Sequence, residues 1–282
     1  MIKINGTVFA DQSFHNDEKI YEADVSILNS DRNTIQLIFQ DNRDITDMLF
    51  AKYWIEDKQP DSVCDLEMLY IPYERMDREI NNQLFSMKYF AEIIYTCNFD
   101  TIKVLDAHSH VSKDFLKKAC NNLVEVNLAD YAEVVHSIEN IDLICYPDKG
   151  AYSKYPSVIQ DSGKPIAMVN YMYGNKVRDL ANKGQIIDYE LMGALSDDDY
   201  KGKNVLIIDD ICCLGGTAYN CAKALKAKGV NKVIFYISHC ENGIYYGNIL
   251  KDNTIDKVYT ANTMGIEIKS DKIVVVEPAE SN

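Results

Sequence analysis

Val205-Leu-Ile-Ile-Asp-Asp-Ile-Cys-Cys-Leu-Gly-Gly-Thr217 is the stretch on which the reading of this chain turns. Its first residues predict a strand that is apolar on both faces, which suits a parallel sheet covered on both sides. The strand runs into two acids, Asp209 and Asp210, and a short loop closes with Gly215, Gly216 and Thr217 where a helical pattern begins. Free N–H groups and the helix dipole at such a terminus favour a phosphate. Glycines let the backbone come close to it. Two carboxylates beside it suit ribose hydroxyls, or a magnesium ion through water. Gly-Gly-Thr alone would read as an ordinary capped helix after a glycine turn. The acid pair just before it makes the segment far more specific.

Outward from this stretch, short β-branched runs alternate with stretches of helical period. Strands are expected at 34–39, 67–71, 101–105, 123–127, 142–146, 165–170, 186–191, 204–209 and 232–238. Helices are expected at 45–56, 84–96, 113–119, 152–160 and 217–228. The alternation implies an α/β fold with right-handed crossovers. So many strands are too many for one open sheet, and two α/β domains are expected, 1–139 and 140–282, each a mostly parallel sheet flanked by helices.

The composition limits the partners. Among 282 residues, 43 acids against 29 bases leave a net charge of −14. Duplex nucleic acid is bound mainly through phosphate neutralisation by Lys and Arg, so no nucleic-acid partner is expected. An anionic membrane surface is disfavoured for the same reason. No apolar run is long enough to span a bilayer, and MIKINGTVFADQ does not read as a signal peptide. Eight scattered cysteines without a CxxC pair read as reduced thiols, and a cytoplasmic location is expected.

Ligands of open α/β sheets bind beyond the carboxyl ends of the strands, and there the sequence is unusual. Pro72-Tyr-Glu-Arg-Met-Asp-Arg78 gathers Arg75, Asp77 and Arg78; arginine matches phosphate with a planar, two-pronged fork. Asp106-Ala-His-Ser-His110 offers Asp106 and His108 beside a hydroxyl, a candidate for metal or nucleotide phosphate. Pro147-Asp-Lys-Gly150 is followed by Lys154, and Gly174–Gln185 carries Lys176 and Arg178. Phe14-His-Asn-Asp-Glu18 is a sixth segment. Cys212 and Cys213 are adjacent, cannot readily share one tetrahedral metal and read as loop and packing residues. Cys240 beside His239 has no third orienting group in view and reads as structural. No GxxxxGK[ST] loop is present, so ATP would not be held by a P-loop.

These segments, in this order, resemble the ribose-phosphate pyrophosphokinase family, in a short, divergent, phage-like branch that includes ADP-ribose pyrophosphate synthetases. The acid pair with Gly-Gly-Thr is shared with phosphoribosyltransferases, but the Pro-Tyr-x-Arg-x-Asp-Arg element is not. Ser238-His-Cys-Glu-Asn242 and Thr260-Ala-Asn-Thr263 stand where the family has a Thr-His element and a Thr-x-Thr/Ser strand end. The resemblance implies two tandem phosphoribosyltransferase-type domains, with ATP on the N-terminal side and ribose phosphate and diphosphate on the C-terminal side.

Carried over residue by residue, the resemblance gives ATP to Phe14, Glu18, Arg75, Asp77, Arg78 and His108. Diphosphate falls to Asp148, Gly150 and Lys154. Asp209 and Asp210 would hold ribose hydroxyls, and the loop Cys213, Leu214, Gly215, Gly216, Thr217 would receive the 5-phosphate. Lys176 and Arg178 would be catalytic, from a mobile loop closing over the reacting phosphates. His108 and Asp148 would hold Mg2+, and the subunits would form a homo-oligomer, dimer or hexamer. Met76 replaces the usual glutamine, Ala151 a frequent second glycine, and Asn16 and Asp17 the family's Asp-Gly. His110 has no family counterpart and reads as structural.

The implied reaction is transfer of the β,γ-diphosphate of Mg-ATP to the anomeric C1 hydroxyl of a ribose 5-phosphate moiety, with release of AMP. The family loop usually reads Asp-Thr-Gly-Gly-Thr; here Cys213 and Leu214 replace the carboxylate and the hydroxyl. Two acceptors therefore stand side by side. One is ribose 5-phosphate; the other is ADP-ribose, whose phosphate continues into a second group and needs room rather than hydroxyls, as in rebuilding of NAD. A phosphoribosyltransferase would release diphosphate instead of AMP, and a non-catalytic regulatory relative would transfer nothing.

Overall fold

The computed structural model describes residues 1–9, 12–16, 18–179, 185–193 and 195–277. The chain folds as two compact α/β units. The first comprises Met1–Val126 with Thr263–Gly265, and the second Asn127–Asn262 with the residues from Ile266 onward.

In the first unit, β1 (Ile2–Ile4), β2 (Thr7–Val8), β5 (Arg32–Leu37), β6 (Val63–Glu67), β7 (Phe99–Leu105) and β8 (Cys120–Val126) form a sheet of order β2-β1-β5-β6-β7-β8. β5 to β8 are parallel, and β1 runs antiparallel to β5. Helices α1 (Arg43–Lys58), α2 (Ser86–Thr96) and α3 (His110–Leu116) make the crossovers. β3 (Gln12–Ser13) and β4 (Lys19–Ile20) form a small separate hairpin. The strand expected at 67–71 lies earlier. Cys64 and Leu66 point into the core while Asp65 turns outward to Arg32, 2.6 Å away. Met68, Tyr70 and Ile71 are buried in the following loop. Hydrophobicity there reflects a buried loop, not a strand.

The second unit holds β9 (Leu143–Tyr146), β10 (Asn170–Asp179), β11 (Gln185–Met192), β12 (Asn204–Cys212), β13 (Lys232–Cys240), β14 (Lys257–Thr260) and β15 (Ile273–Val275). The sheet order is β11-β10-β9-β12-β13-β14-β15, parallel except for the β10/β11 hairpin. Its helices are α4 (Leu128–Glu139), α5 (Lys149–Gln160) and α6 (Gly216–Ala227). Val205 to Ile208 are wholly buried, as expected for a strand between β9 and β13.

α4 belongs to the second unit, so the division falls between Val126 and Asn127 rather than between 139 and 140. The Asn127 side chain caps α4 by accepting from the Ala129 N–H, and Asn140 ends it in a left-handed conformation. Its stripe of Leu128, Tyr131, Ala132 and Val135 is buried, each large apolar side chain contributing about 1.5–3 kcal/mol. At 165–170, where a strand was expected, Pro165 opens a 3-10 turn instead, because proline has no N–H for a ladder. Among the described residues no helix is long and apolar enough to cross a membrane.

The chain leaves β9 through α5 toward β10 on one side, and leaves β12 through α6 toward β13 on the other. The carboxyl ends of β9 and β12 therefore flank a topological switch point, where open α/β sheets bind ligands.

Candidate functional site

β12 carries the decisive stretch to that switch point. It runs on to Cys212, three residues past the expected end, so Asp209 and Asp210 lie within the strand. Consecutive strand residues face opposite ways. Asp209 lines a cavity of about 420 Å³, walled also by Ile211 to Ala218, Asn220 and Phe235. Asp210 instead reaches Lys154 of α5, with Lys154 Nζ 3.7 Å from its Oδ2. Of the two acids, Asp209 lines the cavity and Asp210 does not.

The loop at the cavity mouth is built by glycine. Gly215 has φ +71°, and a Cβ there would lie 2.1 Å from Ile249 Cδ1. Gly215 caps α6 without using a side chain. A Cβ on Gly216 would meet open space, so its backbone faces the cavity unobstructed. Leu214 is 54% exposed at the rim, and Cys213 is half-buried. Burial and the neighbouring Cys240 and Asp209 push the Cys212 thiol well up, and burial takes Cys240 up to about 12.

Beyond β9, Asp148 is the N-cap of α5, its Oδ1 accepting from the Ala151 N–H at 3.0 Å. A Cβ on Gly150 would stand 3.2 Å from that same Oδ1. Gly150 therefore makes room for the cap, a role the sequence did not disclose. The α5 N-terminus is an anion-favouring end beside the cavity strand.

Lys176 and Arg178 stand on β10, paired with Tyr189 and Ile186 of β11, with a bulge between Val177 and Arg178. The expected loop is thus the arm of a hairpin; the side chains of these two residues lie outside the described part. The arm is anchored at its base. The Tyr189 hydroxyl donates to the Pro147 carbonyl at 2.6 Å, one residue before Asp148. Gly174 makes this possible, since a Cβ there would fall 1.7 Å from that hydroxyl oxygen. Tyr189 also lies against Cys145 and Cys221, and burial drives its phenol far above the usual range.

In the first unit the structure brings two predicted segments together. The buried Glu74 carboxylate accepts the backbone N–H of His108 through Oε2 at 2.8 Å. His108 itself is exposed, as are Arg75 and Arg78; Arg78 Nε lies 3.6 Å from Asp77 Oδ1. Asp106 is buried at φ +48°. Phe14 is 58% exposed, its N–H bonded to the Glu18 carbonyl across the β3/β4 turn. Asp17 lies outside the described residues.

Among the described residues no three His, Cys, Asp or Glu side chains converge as a metal cage. The donors fit a cation held mainly by substrate phosphates and water, the usual manner of Mg2+.

Comparison with known proteins gives the following similarities. No family model matches the chain. It is 27% identical to the ribose-phosphate pyrophosphokinase of Campylobacter jejuni over 74% of its own length and 64% of the relative's. It is 27% identical to that of Aquifex aeolicus over 84% and 73%. It is 23% identical to that of Sulfolobus acidocaldarius over 100% and 90%. The chain is a relative of the ribose-phosphate pyrophosphokinases. The match spans just under two thirds of the Campylobacter relative. The fold of this pyrophosphokinase relative is that of the phosphoribosylpyrophosphate synthetase of Mycobacterium smegmatis. The TM-score is 0.70 at 17% identity, over 96% of this chain and 87% of the other.

Proposed function

We propose that the chain transfers the β,γ-diphosphate of ATP to the C1 hydroxyl of ribose 5-phosphate, releasing AMP. The cavity carries this reading. It joins the N-terminus of α6, the bare Gly216 backbone, Thr217 and the Asp209 carboxylate around a space of about 420 Å³ at the switch point. Backbone donors there suit the 5-phosphate, and Asp209 suits ribose hydroxyls. Lys154 and the α5 terminus beside Asp148 suit the diphosphate. Phe14, Glu18, Arg75, Asp77, Arg78 and His108 serve ATP.

The C1 oxygen attacks the β-phosphorus and loses its proton to water. The bond from that phosphorus to the α,β-bridging oxygen breaks, and AMP leaves with the oxygen. Lys176 and Arg178 stabilise charge on the migrating group, since such transfer is mostly positioning and charge stabilisation. Mg2+ would supply further neutralisation; His108 on the ATP side and Asp148 on the diphosphate side are each a candidate contact for it. The subunits associate, and the exposed Phe14 serves the nucleotide site of a neighbour.

A second acceptor, ADP-ribose, is favoured by one observation: the exposed Leu214 puts an apolar side chain at the cavity. A paired assay separates the two. With ATP and Mg2+, ribose 5-phosphate should yield AMP and a diphosphorylated sugar. Product formed only from ADP-ribose would assign the second acceptor. Diphosphate released without AMP would indicate a phosphoribosyltransferase, and no transfer would leave a regulatory relative.

A further inference from the structure

Glu74 is the acid whose position nothing in the proposed chemistry uses. It stands between the residues proposed for ATP, yet it is 0% exposed, so it cannot itself meet a nucleotide. Burying a carboxylate is costly unless its oxygens are used. One is used across the fold: Oε2 accepts the His108 N–H at 2.8 Å, spanning 34 positions of sequence.

Both partners sit in strained turns. Tyr73, just before Glu74, has φ +62°, and Asp106, two residues before His108, has φ +48°. Side chains other than glycine reach this region at a cost, and hold it only where surroundings over-determine it. Tyr73 is fixed by its hydroxyl, which donates to Asn42 Oδ1 at 2.6 Å, and by ring contacts with Phe39 and Phe90. The Tyr73–Arg78 turn is further closed by Met76 N–H to the Tyr73 carbonyl at 2.8 Å. Glu74 carries that rigidity over to the second turn. It joins the two loops that carry the exposed residues His108 and Arg75.

We infer that Glu74 is a positioning residue, which fixes His108 relative to Arg75 through the His108 backbone N–H and so shapes the Mg-ATP contact. This rests on the ATP role proposed for His108. Partners that orient such groups typically matter by about ten- to hundredfold in affinity or activity.

The experiment measures Mg-ATP affinity by calorimetry, independently of turnover, in wild type, Glu74→Gln, Glu74→Met, His108→Ala and the Glu74→Met/His108→Ala double variant. Gln keeps an acceptor oxygen; Met keeps the volume and removes it. Glu74→Met should weaken binding about tenfold or more, and Glu74→Gln should restore most of it. In the His108→Ala background, Glu74→Met should have little further effect, whereas independent sites multiply to within about twofold. Multiplicative losses, or equal losses in Gln and Met, would overturn the inference, as would a wild type that does not bind Mg-ATP. Should Glu74→Met fail to fold, hydrogen exchange of the wild-type His108 amide decides: protection supports the bond, and exchange at the rate of an unfolded peptide removes it. Coupled binding without AMP release would sink the proposed function and leave the positioning role standing.

Discussion

Lys154 Nζ of α5 lies 3.7 Å from Asp210 Oδ2 of β12, joining the two elements that flank the switch point. Both side chains are mostly shielded, at 25% and 14% exposure. Lys154 is the cation proposed for the diphosphate. Lys154→Ala should lower kcat/KM for ATP about ten- to hundredfold, the loss of one charge-assisted contact of about 1.5–3 kcal/mol. Steady-state kinetics at fixed acceptor check this; an unchanged kcat/KM would remove Lys154 from the diphosphate site.

Gly215 and Gly216 are adjacent but should fail differently. Gly215→Ala forces an L side chain to φ +71° and into Ile249, and should cost about 1–3 kcal/mol of stability. Gly216→Ala meets open space and should leave the melting transition almost unmoved while raising the acceptor KM. Thermal unfolding and acceptor titration on the pair separate a structural glycine from one that a phosphate approaches.

Lys176→Ala and Arg178→Ala should lower kcat about 10²- to 10³-fold with little change in KM, as for groups that act on transition-state charge. Tyr189→Phe removes the anchor to the Pro147 carbonyl, worth about 0.5–1.5 kcal/mol. It should lower kcat several-fold by loosening the hairpin base. Equal effects on kcat and on binding would argue against a role in the chemical step.

Buried thiols set an alkaline limit. Burial raises Cys64 and Cys240 from 9.0 to about 12 and Cys97 to about 11. Above pH 9 the unfolded chain loses these protons while the folded chain keeps them. Stability is therefore full below pH 9 and falls as pH rises toward 12. The urea midpoint should be lower at pH 10 than at pH 8. Substituting the three by Ser or Ala in turn should flatten that slope.

Legibility in the sequence followed the range of the forces involved. The Asp209–Thr217 segment was readable because an apolar run, an acid pair and a glycine turn are local signals. β10 looks like a loop in sequence because Gly174 and the basic residues mask a strand that is fixed by pairing with β9 and β11. α4 begins directly after a β-branched run, so its Asn127 cap and apolar stripe do not stand out from the strand signal before them. The room that Gly150 leaves for the Asp148 cap is a packing detail with no local sequence signal. Glu74 could not have been found at all: its partner lies 34 residues away and gives no local pattern.

The most direct test of the central claim is the product balance of one reaction. Protein, ATP, Mg2+ and ribose 5-phosphate are incubated together, and all nucleotides and sugars are quantified by mass spectrometry. The account predicts AMP and a ribose 5-phosphate bearing one added diphosphate, in equal amounts, with neither formed when the sugar is withheld. ADP with a monophosphorylated product, or AMP that forms without the sugar, would contradict it.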